Sequence, residues 1–264
     1  FVAPDTGRKE NNRHWFQIDP QLVNEIWSAF YPGMIEQATE RALWGARITN
    51  DDWGTHPTMA YAAMISAAFF EDDVEELVKL AVDAVPNTGP FAEGIRDVIR
   101  WHDQHDDWRV TRQLIHDKYW AYKSTELEAP VSIVSSLNNG LTGIMALLYG
   151  GGDYTKTVGI ATSAGYDSDN QAATLGGLIG TMRGMTGLNA DVVTRMKTLD
   201  ASWEWDKPFN DTYVNISRDE IALRTPITEI AARIVAIAEQ AIRDNGGRMI
   251  HDNNEVYYVI NSDI

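Results

Sequence analysis

Asp167 and Asp169 stand one residue apart in Gly165-Tyr166-Asp167-Ser168-Asp169-Asn170, just after a glycine and just before a run that reads as a helix. Two hard carboxylates at that spacing can be aimed at one point in space. Oxygen donors of this kind are what Mg²⁺ and Ca²⁺ prefer. Asn170 adds a carbonyl oxygen to the same turn. The competing use is helix capping, with Asp169 or Ser168 accepting from free backbone N–H groups. For an isolated Asp-x-Asp, capping is the commoner of the two. An EF-hand is rejected: counted from Asp167, the glycine position holds Ala172 and the closing glutamate position holds Leu178.

Other polar groups compete for attention. His56, in Trp53-Gly54-Thr55-His56-Pro57, precedes a buried helix and could touch a ligand, with a capping or core histidine as the alternative. Asp51-Asp52 reads as a second acidic pair or as a solvated loop. Asn138-Asn139-Gly140 reads as a ligand-binding loop or as a plain turn. His102, His105 and Asp106 lack the His-Glu-x-x-His arrangement and read as surface. No nucleophile elbow, phosphate-binding loop or dinucleotide fingerprint occurs.

The elements that must position these groups are helical. An amphipathic stretch from Asp19-Pro20 carries Leu22, Val23, Ile26, Trp27 and Phe30 and breaks at Pro32-Gly33. Helices are expected at 34–44, at 58–70 (apolar nearly all round, so buried), and from Asp72-Asp73 to Pro86. Further helices are expected at 91–105, 107–122 and 154–164, with the apolar segment 131–149 between. Thr225-Pro226 opens a long helix whose apolar residues are Ile227, Ile230, Ala231, Ile234, Ile237, Ala241 and Ile242, closed by Asn245-Gly246-Gly247. Only 255–260 reads as a strand. After the aspartates, Ala172, Gly176, Gly180 and Gly184 fall on one helix face. Each glycine costs a helix about 1 kcal/mol relative to alanine, so another backbone is expected to pack close there.

Composition narrows the function. The chain has 264 residues, 44% hydrophobic, enough for one sizeable core. It has no cysteine, which removes disulfides, thiolate nucleophiles and cysteine zinc sites. A formal net charge of −16 repels phosphate backbones, so nucleic acid is not an expected partner, and divalent cations are attracted. No apolar run is long enough to cross a bilayer, so no membrane partner is expected. The sequons at Asn210 and Asn215 permit secretion without arguing for it; a cytoplasmic location is equally permitted. Phe1 in first position suggests processing, or a piece of something longer.

Three segments together resemble the ADP-ribosylglycohydrolase family. They are Asn50-Asp51-Asp52-Trp53-Gly54-Thr55-His56, Ser136-Leu137-Asn138-Asn139-Gly140 with Ala146-Leu147-Leu148-Tyr149-Gly150-Gly151-Gly152-Asp153, and Gly165-Tyr166-Asp167-Ser168-Asp169-Asn170 with its glycine-spaced helix. The likeness covers about 19–247 and is to the C-terminal two-thirds of the family. It implies an all-α, compact orthogonal multi-helix bundle. It implies a single domain over 1–264, with a core at 19–247 and a tail at 248–264, forming the C-terminal portion of a larger catalytic domain.

The resemblance also implies a mechanism. Two Mg²⁺ ions (Ca²⁺ or Mn²⁺ as substitutes) would sit in a central cleft, with Asp167 and Asp169 as ligands and Asn170 where the family usually has threonine. Trp53, His56 and Asn139 become candidates for the substrate cleft. The expected reaction is Mg²⁺-dependent hydrolysis of an N- or O-ribosyl bond, on an ADP-ribosyl or smaller nucleoside-like substrate. The acidic chain favours the smaller, neutral one. The family's glycine-rich start, catalytic glutamate and first acidic metal motif do not precede Phe1. The general acid or base is therefore expected on a second chain from the same precursor. The alternative is a non-catalytic metal- or nucleoside-binding protein, or a structural one, because lens crystallins have been recruited from this family.

Overall fold

The computed structural model describes residues 2–87, 89–122, 131–187, 211–216, 222–253 and 255–262. The chain forms two compact units, Phe1–Met182 with Ser262–Ile264, and Arg183–Asn261. Helices dominate and the strands are short, so the fold class is all-α.

The first unit contains α1 (Glu25–Phe30), α2 (Ile35–Ala46), α3 (His56–Ala67), α4 (Val74–Asp83), α5 (Pro90–Gln104), α6 (Trp108–Tyr119), α7 (Ser136–Gly150), α8 (Tyr154–Ala164) and most of α9 (Ser168–Gly187). Local chemistry sets their ends. Asp73 caps α4 by accepting from the Glu75 and Glu76 N–H groups at 2.8 and 3.3 Å. Asp107 does the same for α6 and Asp153 for α8. Gly151, at φ +60°, closes α7 in a left-handed turn that glycine adopts without strain.

Two helices carry the core. Nearly every residue of α3 is buried, as its all-round apolarity predicts, and α3 packs against α2 and α4. Every residue of α7 is buried, polar ones included, and α7 packs against α5, α6 and α8. The tightest contacts at glycines of these two helices are on α7 rather than on α9, and they are mainly with side chains. A methyl group at Gly143 would collide with the Tyr61 hydroxyl and Gln171 Oε1, and one at Gly150 with Thr157. On α9, Gly176 meets only Tyr154 and Val158 side chains, and Gly180 meets nothing within 4 Å. The expected backbone against the α9 glycines is therefore not supplied by the described residues.

The stretch after Pro20 differs from its sequence pattern. It splits into a 3-10 turn, Gln21–Val23, followed by α1. Gln21, Asn24 and Ser28 are the buried residues, while Leu22 (50% exposed), Val23 (62%) and Ile26 (44%) face out. The amphipathic face is inverted relative to the core.

The second unit holds β1 (Tyr213–Val214) paired antiparallel with β2 (Arg224–Thr225), α10 (Ile227–Asp244), and the hairpin of β3 (Arg248–Asp252) and β4 (Glu255–Val259). The expected strand is β4, and its partner β3 lies in what the sequence reads as a tail. Pro226 is the residue before α10, not its first helical one. On α10, Ala238, Ala241 and Ile242 are buried, whereas Ile227, Val235 and Ile237 are exposed. Among the sequon residues, Asn210 and Ser217 lie outside the described residues. So does Pro130. No helix among the described residues is long and apolar enough to cross a membrane.

The buried Asp97 is well partnered. Asp97 on α5 accepts from the Tyr119 hydroxyl at 2.7 Å, from Lys118 Nζ at 2.5 Å and from Arg100. Burial alone would raise its pKa; the hydrogen bonds from Lys118, Tyr119 and Arg100 outweigh it and leave the carboxyl below the usual aspartate range. A depressed folded-state value contributes stability above the unfolded value, lost as pH falls through the folded one. Asp97→Asn is expected to cost about 2 kcal/mol at pH 7. The difference in melting temperature between wild type and variant should narrow in acid, as read by thermal circular dichroism at pH 7 and pH 3.

Candidate functional site

The turn between α8 and α9 carries the acidic pair. Gly165 (φ +83°) and Tyr166 (φ +60°) both sit at positive φ. For glycine this is free; for tyrosine it costs about 1–3 kcal/mol and persists only when the surroundings enforce it. Asp167 follows. Its N–H donates to Asn139 Oδ1 at 2.9 Å, its C=O accepts from the Gln171 N–H at 3.2 Å, and its carboxylate accepts from the Asn170 N–H. The capping role thus falls to Asp167, not to Asp169 or Ser168.

Asn139 is the fixed point beneath this turn. It is wholly buried on the first turn of α7. Its Nδ2 donates to Ile133 O at 2.8 Å and Ser135 O at 2.9 Å. Its donor and its acceptor are both engaged on backbone groups, and the acceptor holds Asp167. The segment it grips is in turn pinned to the chain's start: Ile18 N–H donates to Val134 O and Ser136 N–H to Phe16 O.

Asp169 is exposed and within hydrogen-bonding reach of Asp167. Burial pushes the Asp167 carboxyl up, and the neighbouring Asp169 and Asp19 push it further in the same direction. Asp19 is a third acidic charge felt by Asp167, the weakest of these influences, with no local sequence signal to mark it. Two other acidic clusters show the contrast. Asp51 caps the turn after it and accepts from Lys9 N–H at 3.1 Å, and Asp52 pairs with the Lys9 ammonium. Asp97 has Lys118 and Arg100. Among the described residues no lysine or arginine forms an ion pair with Asp167 or Asp169.

Asn170 is buried at the same turn. Its Oδ1 accepts from Thr174 Oγ1 at 3.3 Å, and its Nδ2 has no partner among the described residues. A carbonyl oxygen has two lone pairs, so the Thr174 bond leaves one for a cation. Thr174 also reaches Glu25 of α1. Burial raises that glutamate's pKa, against the opposing pull of its own N–H and the Thr174 hydroxyl. Gln171 bonds Gln21 at 3.3 Å. The start of α9 is thus tied to both α7 and the segment before α1.

Trp53 and His56 are placed elsewhere. Trp53 is 4% exposed, packed against Trp15 (5.0 Å between centroids), Phe16 and Tyr122. His56 is buried against Gly89; burial pushes its imidazole down, partly opposed by the Asp52 charge. Among the described residues, no hydrogen bond or ring contact joins either side chain to the aspartates. Asp167, Asp169 and Asn170 are brought together, Asn139 is brought beneath them, and Trp53 and His56 are not part of the group.

Residues 26–238 match the profile of the family described as ADP-ribosylglycohydrolase. This chain belongs to the ADP-ribosylglycohydrolase family. No curated protein and no solved structure matches it. The family points to glycosyl-bond hydrolysis. Within it, the donor set of this chain is two carboxylates and an amide oxygen at one helix turn. Among the described residues no three acidic or imidazole side chains converge on one point. Two carboxylates with no basic partner among the described residues fit Mg²⁺, which is commonly held by one or two carboxylates and keeps several waters.

The repulsion in this pair has a measurable consequence. A raised folded-state pKa means that the native state binds more protons than the unfolded state, so stability falls as pH rises above the ordinary aspartate value. Asp169→Asn removes the neighbouring charge. In metal-free buffer at pH 7 it should raise the melting temperature slightly, and adding Mg²⁺ should raise that of wild type but not of the variant. A differential scanning fluorimetry series with EDTA and with Mg²⁺ reads both.

Proposed function

We propose that this chain carries part of the metal centre of a Mg²⁺-dependent hydrolase that cleaves a ribosyl bond. The observation that supports the reading most is the Asp167–Asp169 pair, close enough to repel, fixed by Asn139 and without a countercharge. A bound divalent cation supplies positive charge that polarises ribose hydroxyls and acidifies a water. Asp167 presents its carboxylate from a turn held by its own N–H bond to Asn139. Asp169 presents the second from the exposed side. Asn170 offers its remaining lone pair. The transition state of ribosyl transfer is oxocarbenium-like, and the carboxylates Asp167, Asp169 and Asp19 favour positive charge there. Any second ion of a two-ion centre needs ligands from outside this set.

The substrate we favour is a small, neutral ribosyl compound over a pyrophosphate-bearing ADP-ribosyl group. A net charge of −16 and the carboxylates of Asp167, Asp169 and Asp19 disfavour an anionic ligand away from the ions. We assign the general acid or base to a separate polypeptide segment that covers the outward Leu22, Val23 and Ile26. A polar face turned inward and an apolar face turned outward support that partner.

The test is a panel of α-ribosyl substrates incubated with the native protein, including any chain that accompanies it, and chromatography of released ribose or ADP-ribose. Release is expected with Mg²⁺, not with EDTA, and Asp169→Asn should lower it by about 100-fold. Tight binding of a nucleoside with no release would instead indicate a binding protein built on the same fold.

A further inference from the structure

Tyr166 is an unexpected residue at its position. The backbone is left-handed there, where glycine is at ease and a bulky side chain is not. The preceding Gly165 shows that the chain uses glycine in this turn where nothing else is asked of the residue. A large aromatic side chain that holds such a conformation must be fastened, and its fastenings all come from one face of α6. Arg112, His116 and Trp120, four residues apart, form a single row at the helix and its C-terminal cap.

Each member makes a different contact. The Arg112 guanidinium lies over the Tyr166 ring, 4.6 Å from its centroid, and Arg112 Nε donates to Ala164 O at 3.0 Å. His116 Nδ1 and the Tyr166 hydroxyl are hydrogen-bonded at 2.7 Å. The Trp120 ring stacks on Tyr166 at 5.5 Å and 26°, and on His116 at 5.1 Å and 22°. These contacts engage backbone and side chain of 164–166 and stop at the residue before Asp167. From the other side Asn139 holds the Asp167 N–H.

We propose that Arg112, His116 and Trp120 clamp Tyr166 in its left-handed conformation and so set the separation and aim of the Asp167 and Asp169 carboxylates for a divalent cation. The four are positioning residues. Without the clamp the turn relaxes toward ordinary φ, Asp167 rotates relative to the first turn of α9, and the two carboxylates cease to share one focus. This inference rests on the reading that the aspartates hold a cation.

Mn²⁺ binding to the full chain, followed by the loss of the free-ion electron paramagnetic resonance signal, tests it without reference to turnover. Tyr166→Ala loses the clamp while still disfavouring positive φ, and should weaken Mn²⁺ by about tenfold or more. Tyr166→Phe keeps the ring, the stack and the Arg112 contact, and should stay within about threefold of wild type. Arg112→Met, on a half-buried helix face, provides a second variant if Tyr166→Ala does not fold, with an expected loss of about threefold to tenfold. A merely structural clamp would lower the melting temperature of these variants and leave Mn²⁺ affinity alone. If Asp169→Asn abolishes binding while Tyr166→Ala and Arg112→Met match wild type, the clamp is refuted and the metal reading stands. If wild type itself takes up no Mn²⁺, the metal reading fails and the clamp's role fails with it.

Discussion

The hydrogen bond from the Asp167 N–H to Asn139 Oδ1 joins the acidic turn to the buried helix α7. Asn139 cannot shift, because it is buried on a helix with every residue buried and its amide also grips Ile133 and Ser135. Those residues are tied through Val134 and Ser136 to Phe16 and Ile18. The rigidity of a close-packed core is thereby passed to a surface turn through one buried asparagine. Loss of its amide would take the partner from the Asp167 N–H and the Ile133 carbonyl, while Ser135 O keeps its bond from the Asn139 N–H, so breaking the arrangement carries a cost.

Charge separates the functional reading from a structural one. The chain is strongly acidic, so acidic pairs alone carry little information. What differs is their neutralisation. Asp51 and Asp52 meet Lys9, and Asp97 meets Lys118, Tyr119 and Arg100. Asp73 and Asp153 cap helices in exposed positions through backbone N–H groups, whereas the buried Asp97 is answered by donor side chains and cations. At Asp167 the neighbours that answer are Asp169 and Asp19, and they push its pKa up. Asp167 does cap α9, so the capping and metal readings are not exclusive. The N–H of Asn170 takes part of the carboxylate's capacity and fixes its orientation for the rest.

Much of the helical layout is legible because its signals are local. Asp153 before Tyr154 and Gly165 after Ala164 bound α8 at the residues the sequence indicates. The all-round apolarity of 58–70 marks α3 as interior. The unit boundary leaves little trace: it falls at Met182–Arg183, beside a kink at Gly184 (φ +60°) within α9, and one glycine among the regularly spaced glycines of that helix does not stand out as a linker. The glycine spacing of α9 identifies a face but not its neighbour, and the tight crossings prove to be at Gly143 and Gly150 of α7. At the site, the acidic pair is legible from spacing. Asn139 is legible only as a polar residue near a glycine, not as a buried strut. Asp19 and the Arg112, His116 and Trp120 row act across the fold, and only the four-residue spacing of the row leaves a trace in the sequence.

The segment leading into α1 departs furthest from its own periodicity. Periodicity alone would turn Leu22, Val23 and Ile26 inward, since each buried aliphatic side chain is worth about 1.5–3 kcal/mol. Instead Gln21 and Asn24 are buried, and Gln21 Oε1 and both polar atoms of the Asn24 amide have no partner among the described residues. An unpaired buried amide group costs about 1–3 kcal/mol. One bond explains why the inversion is tolerated, because Gln21 reaches Gln171 in the first turn of α9 and ties this segment to the acidic pair. The same inversion leaves three aliphatic side chains in a row facing out beside Glu25, whose neighbours on α9 are Thr174 and the open glycine face at Gly177. A surface built this way is stable in water only at a cost that a covering segment would remove. The segment that is tied to the start of α9 through Gln21 is thus the one that turns Leu22, Val23 and Ile26 outward.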